Sequence, residues 1–119
     1  MASSPMVRMN MALTAASPRA RQNLVDALRF LMMTTRFDPG CVECSVWEDG
    51  DGIVRYTEVW STELDMRRRV GADPFTSLLG VVESAESAQV QFDFVSETRG
   101  LDYVAEVRNT PAESNSPRR

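Results

Sequence analysis

A four-stranded antiparallel sheet with helices on one face, an α+β fold, is what this sequence predicts. Three observations carry that reading. Val7, Met9, Met11 and Leu13 alternate with Arg8, Asn10 and Ala12, the period-two signature of a strand with one buried face. Leu24, Leu28, Leu31 and Met32, with Val25 and Ala27 alongside, recur at the three-to-four spacing of an amphipathic helix. Asp38-Pro39-Gly40-Cys41 and Glu58-Val59-Trp60-Ser61 each mark a change of backbone regime, helix to strand and then strand to helix, and one hairpin lies between them.

Taken in order, Met1 to Pro5 is a small polar lead, expected to be flexible, and the first strand follows it. Ser17-Pro18 supplies an N-cap and a proline at the first helical position, where the missing N–H is harmless. That helix should end near Phe37, stopped by Asp38-Pro39-Gly40. The hairpin is Cys41 to Glu48, a turn at Asp49-Gly50-Asp51-Gly52, and Ile53 to Trp60, the glycines providing the positive φ such turns need. Ser61 or Thr62 can cap a second helix with Glu63 and Asp65 in its first turn and Arg67, Arg68 and Arg69 in its last, both favourable to the helix dipole. Gly71 and Pro74 break it, and a short helix from Phe75 to about Glu83 places Leu78, Leu79 and Val82 on one face. Gln89 to Thr98 reads as the fourth strand, with Val90, Phe92 and Phe94 alternating against glutamine and aspartate. Leu101 to Val107 fits either a short helix or an added strand, and 109–119 reads as a disordered tail after a domain at 6–108.

The long split connections put the first and third strands side by side, a ferredoxin-like arrangement. Helices can cover only one sheet face, yet the third strand is apolar on both, with Val54, Tyr56 and Trp60 against Ile53 and Val59. Sheet-to-sheet dimerisation into a dimeric α+β barrel is therefore expected; a monomer with one wet face is the alternative.

Composition narrows the function. With 119 residues and 43% hydrophobic content, one core is available and no separate cofactor domain. A net charge of −4 and a pI near 4.8 argue against nucleic acid or an anionic membrane as partner. No apolar run is long enough to span a bilayer. Met9 to Ala16 could pass for a signal-peptide core, but cleavage would delete a well-patterned strand, so a cytoplasmic location is expected. Cys41-Val42-Glu43-Cys44 has the C-x-x-C spacing. In a regular strand residues three apart point to opposite faces, which predicts two free thiols, and without histidine a zinc site lacks ligands.

Pro39-Gly40-Cys41 before the second strand, Glu58-x-Trp60-Ser61 closing the third, and Asp73-Pro74-Phe75 in the helical region together resemble the antibiotic biosynthesis monooxygenase family, over roughly residues 6 to 98. The resemblance implies small dimeric α+β barrels that oxygenate aromatic substrates with no metal or flavin. It also implies that Trp60 lines a pocket between sheet and helices, and that the first strand offers an asparagine, here Asn10, to the substrate. Many members carry a histidine in the second helix where this chain has Arg68-Arg69-Val70, which weighs against the haem-degrading branch.

Beside the resemblance, Trp60 reads equally as a stacking wall for an aromatic ring or as a large core residue with its N–H satisfied. Glu58 shares a strand face with Tyr56 and Trp60; buried without a cation it would accept a phenolic proton, and paired with arginine it would be structural. Asn10 faces either the site or the opposite side, which sequence phase leaves open. Arg68 or Arg69 can hold a phenolate, with Trp60 and Tyr56 framing the ring, Phe75 among the substrate-binding residues and Asn10 or Glu58 managing the proton; at least two of the three adjacent arginines fit a solvated helix end. The reaction consistent with these parts is oxygenation of a quinol, phenol or polycyclic aromatic that reduces dioxygen itself, so no cofactor is required. A non-catalytic dimeric small-molecule-binding module is the other reading.

Overall fold

The computed structural model describes residues 5–95, together with 104–105 and 107–108. Its elements are β1 (Met6–Thr14), α1 (Pro18–Thr35), β2 (Cys41–Glu48), β3 (Val54–Trp60), α2 (Glu63–Gly71), α3 (Pro74–Ser84) and β4 (Ser87–Val95). The strands form one antiparallel sheet in the order β2-β3-β1-β4, so β1 and β3 are the central neighbours that a ferredoxin-like α+β fold requires. Element boundaries differ from the sequence reading by one to two residues at most ends, and β4 is described only to Val95. Val104, Ala105, Val107 and Arg108 are helical; the expected flexible lead and disordered tail fall, apart from Pro5, outside the described residues.

Local chemistry accounts for the joints. Ser17 caps α1 by accepting the Ala20 N–H at 3.1 Å, with Pro18 just inside the helix. Thr62, not Ser61, caps α2, accepting the Asp65 N–H at 3.0 Å. In the hairpin, Asp49 accepts the backbone N–H groups of Asp51 and Ile53 at 2.8 and 3.1 Å. Gly40 has φ +91°, and its carbonyl accepts the Ser61 N–H at 2.8 Å, tying the end of α1 to the end of β3. A Cβ at this position would stand 2.6 Å from the Asp65 carboxylate. Gly40→Ala should therefore lose about 2 to 3 kcal/mol of folding stability through strained backbone and displacement of Asp65. Chemical denaturation checks this; a loss below about 0.5 kcal/mol, the usual size for an unremarkable surface change, would contradict it.

Val7, Met9, Met11 and Leu13 from β1 and Val54, Tyr56 and Trp60 from β3 form the helix-side face, buried under Leu24, Val25 and Leu28 of α1, Met66 of α2 and Phe75 and Leu78 of α3. The opposite face is mainly polar. Thr57 donates to Asn10 at 3.0 Å, Asn10 donates to Asp93 at 3.1 Å, and Gln91 donates to Asp93 at 2.7 Å. Here the two-faced apolar pattern of the third strand needs correction: Ile53 lies before β3, and Val59 is already buried within one chain. An exposed apolar stripe does occur on β4, but on the helix side of this edge strand: Val90, Phe92 and Phe94 pair with Met11, Met9 and Val7 yet remain 44%, 40% and 58% exposed.

The cysteines also depart from a regular strand. The register of β2 on β3 pairs Cys41 with Trp60, Glu43 with Val59 and Cys44 with Glu58, so a β-bulge absorbs one residue. Because Trp60 and Glu58 share a face, both cysteines lie on the helix side, not on opposite sides as period-two alternation predicts. Both are free thiols.

Candidate functional site

The helix-side end of β3 holds a buried charged cluster. Glu58, fully buried, accepts four hydrogen bonds: from the Tyr56 hydroxyl at 2.5 Å, Trp60 Nε1 at 2.9 Å, Arg69 Nε at 3.0 Å and Arg69 NH2 at 2.7 Å. Period-two geometry puts Tyr56, Glu58 and Trp60 on one face, so the neighbours on either side reach the same carboxylate. Arg69 arrives from α2, three residues after Met66 on that helix's only buried stripe. Its NH2 also approaches the Thr35 hydroxyl at 3.5 Å, and its guanidinium lies 5.3 Å from the centre of the Phe75 ring. Arg67 and Arg68 point outward, so two of the three arginines form a solvated helix end as the sequence suggested.

Electrostatics follow from burial and pairing. Desolvation works against the Arg69 charge, but the hydrogen bonds and charge of Glu58 outweigh it and raise its pKa. Burial, then the Glu58 charge, pushes the Tyr56 phenol far above its ordinary range, so it stays a donor. Glu58 is thus the acceptor of a satisfied ion pair, the structural arm of the two outcomes read from sequence.

Beside this cluster lies a cavity of about 230 Å³ lined by Trp60, Arg69, Arg68, Asp65, Asp38 and Pro39, among others. Arg68 pairs with Asp65 at its rim. The Ser61 hydroxyl, donating at 2.8 Å, and Arg68 hold the Asp65 carboxyl below its usual range. The structure thus brings Trp60, Arg68 and Arg69 onto one wall, with Glu58, Tyr56 and Phe75 packed behind them. Asn10 is not among them. It lies on the other sheet face, because β1 turns Met9 and Met11 inward, and it lines a separate cavity of about 200 Å³ with Trp47 and Arg55. A third cleft, about 490 Å³ between the start of α1 and the end of α3, is lined mainly by small residues such as Ala15, Ala20 and Ala27. Sequence reasoning passed over Asp38 as a cavity residue, since Asp38-Pro39-Gly40 reads first as a helix stop. No cluster of three or more metal-ligating side chains occurs among the described residues.

The thiols report on this wall. The Cys44 thiol donates to the Tyr56 hydroxyl at 3.3 Å, and burial pushes its pKa up to about 11; burial also raises that of Cys41. Since the thiolate is the reactive form, Cys44 in the folded protein should resist alkylation at pH 8, its rate climbing about tenfold per pH unit and levelling only near pH 11. A plateau between pH 8 and 9 in a pH series of alkylation rates would contradict the burial of this thiol.

Comparison with known structures places the fold. The chain has the fold of antibiotic biosynthesis monooxygenases. A Deinococcus radiodurans protein provisionally named as one superposes with a TM-score of 0.68 at 17% identity, covering 80% of this chain and 96% of that one. A structure named antibiotic biosynthesis monooxygenase gives 0.63 at 14% identity, covering 79% and 99%. A conserved Bacteroides thetaiotaomicron protein, described as of unknown function and a possible oxidoreductase, gives 0.69 at 14% identity, covering 77% and 99%. No family model matches the chain, and no curated protein matches it in sequence. At these identities the likeness is one of fold.

Proposed function

We propose that the chain binds an aromatic phenol or quinol in the cavity between Trp60 and Arg69 and supports its oxygenation by dioxygen without a cofactor. The observation that carries this is the meeting of an indole wall and a buried guanidinium on one cavity of about 230 Å³. The indole suits a flat polarisable ring, and the guanidinium suits the negative charge that develops when a phenol ionises. An ionised quinol passes an electron to dioxygen by its own chemistry, so the site's contribution is orientation, exclusion of water and charge stabilisation. Trp60 orients the ring, Arg69 stabilises the anion, and Glu58 holds both in place. Anaerobic titration with a panel of quinols, followed by air and a mass measurement, tests this: a product with one oxygen atom more and two hydrogens fewer, the second oxygen of dioxygen leaving as water, supports it, and binding without conversion supports the second reading. That second reading, a non-catalytic binding module, draws on the full occupation of Glu58 and on the distance of Asn10 from the wall.

The working unit is proposed to be a homodimer formed through the open sheet face. Its support is that Thr57, Asn10, Asp93 and Gln91 on that face already satisfy one another, which lowers the cost of covering them, and that Trp47 on the same face is exposed. Sedimentation should give a dimer at micromolar concentration; a monomer would overturn this part alone. Among the described residues no helix is long and apolar enough to cross a membrane.

A further inference from the structure

We propose that Asp38 takes the phenolic proton of the bound substrate while Arg69 NH1 holds the oxygen that is left, an inference that rests on the aromatic-ligand reading above. The proton needs an acceptor at the cavity, and the other nearby groups are committed. Glu58 spends both oxygens on four hydrogen bonds. Tyr56 is itself a donor to Glu58. Asp65 accepts the Ser61 hydroxyl and pairs with Arg68. Asn10 is on the far sheet face. Asp38 lines the cavity, and its carboxylate has no hydrogen-bond or ion-pair partner among the described residues. Its backbone is held: the Asp38 N–H donates to the Thr35 carbonyl at 3.1 Å and its carbonyl accepts the Cys41 N–H at 3.0 Å. The main chain is thus fixed while the carboxylate keeps its lone pairs.

Arg69 supplies the complementary group. Its Nε and NH2 are taken by Glu58, with Thr35 beside NH2, whereas NH1 has no acceptor among the described residues. One remaining nitrogen fits a single oxygen. A carboxylate or phosphate ligand favours the two-pronged edge that Glu58 already occupies. In the step, the phenol O–H bond breaks, the proton goes to a carboxylate oxygen of Asp38, and the electron pair stays on the phenolate oxygen facing Arg69. Dioxygen is the oxidant that the phenolate then meets.

The test uses hydroquinone and the more acidic 2,6-difluorohydroquinone, which keeps two ring C–H positions, with binding followed anaerobically by fluorescence and turnover by oxygen uptake after subtraction of the protein-free rate. Asp38→Asn should bind hydroquinone within about threefold of wild type yet lose roughly a hundredfold or more in turnover, the usual worth of a positioned base. The loss should shrink below about tenfold for the acidic quinol, which needs less help to ionise, and Asp38→Glu should recover part of the rate. Asp38→Asn turnover near wild type on hydroquinone, or an equal loss on both quinols, would overturn the role of Asp38 and leave the oxygenase reading standing. Wild type that neither binds nor oxidises either quinol would remove that reading and this inference together.

Discussion

Arg69→Met should destabilise the fold by about 3 to 5 kcal/mol, because it leaves the buried Glu58 carboxylate without its cation. Arg69 is nearly as buried as Glu58, so water cannot substitute for the lost partner. The tyrosine and tryptophan donors remain, which limits the loss without cancelling it. Adding Glu58→Gln to Arg69→Met should recover about 2 kcal/mol, since the amide oxygen can accept from Trp60 in place of Oε1, the amide NH2 can donate to the Tyr56 hydroxyl in place of Oε2, and neither carries a charge to desolvate. Chemical denaturation of the two single variants and the double variant provides the cycle. A cost below about 1 kcal/mol for Arg69→Met, the range of solvent-exposed pairs, would mean that the pair is hydrated and the site more open than described.

Trp60→Phe is expected to lower stability by about 3 kcal/mol, combining lost ring volume with loss of a hydrogen bond to a charged acceptor. The indole is both things the sequence allowed, a core residue with its N–H satisfied and a wall of the cavity. Ligand affinity should therefore fall as well, by about tenfold, a stacking loss of roughly 1.4 kcal/mol. Trp47→Phe is the internal control, because Trp47 lines the cavity on the opposite sheet face and its loss should leave binding unchanged. Equal effects of the two substitutions on affinity would place the ligand elsewhere.

Most of the fold is legible in the sequence because each element obeys one rule over many residues. The alternation in β1, the spacing in α1 and the proline and glycine stops leave few topologies, and β1 beside β3 follows from connection length. What periodicity misses is a single exception within a repeat. One bulged residue in β2 moved both cysteines to the same face, and nothing in Cys41-Val42-Glu43-Cys44 announces it.

The site is legible by halves. Tyr56, Glu58 and Trp60 share a face by strand phase, and Arg69 joins them once α2 is laid down with Met66 inward. Which of three adjacent arginines turns inward depends on the helix phase, and a one-residue change in the cap would alter it. Asn10 fell to the other side for the same kind of reason: with Met9 and Met11 both inward, its neighbour position has to face out. Asp38 carried no signal as a site residue, since its contact with the cavity arises from the way Gly40 folds the end of α1 back beside Ser61.

The most direct test of the central claim is a crystal structure of the anaerobic complex with a phenol that resists oxidation, such as 4-fluorophenol. The ring should lie against the Trp60 indole with its oxygen within hydrogen-bond distance of Arg69 NH1 and facing Asp38. Occupation of the outer-face cavity beside Trp47 or of the alanine-lined cleft, with the Trp60 cavity empty, would contradict it.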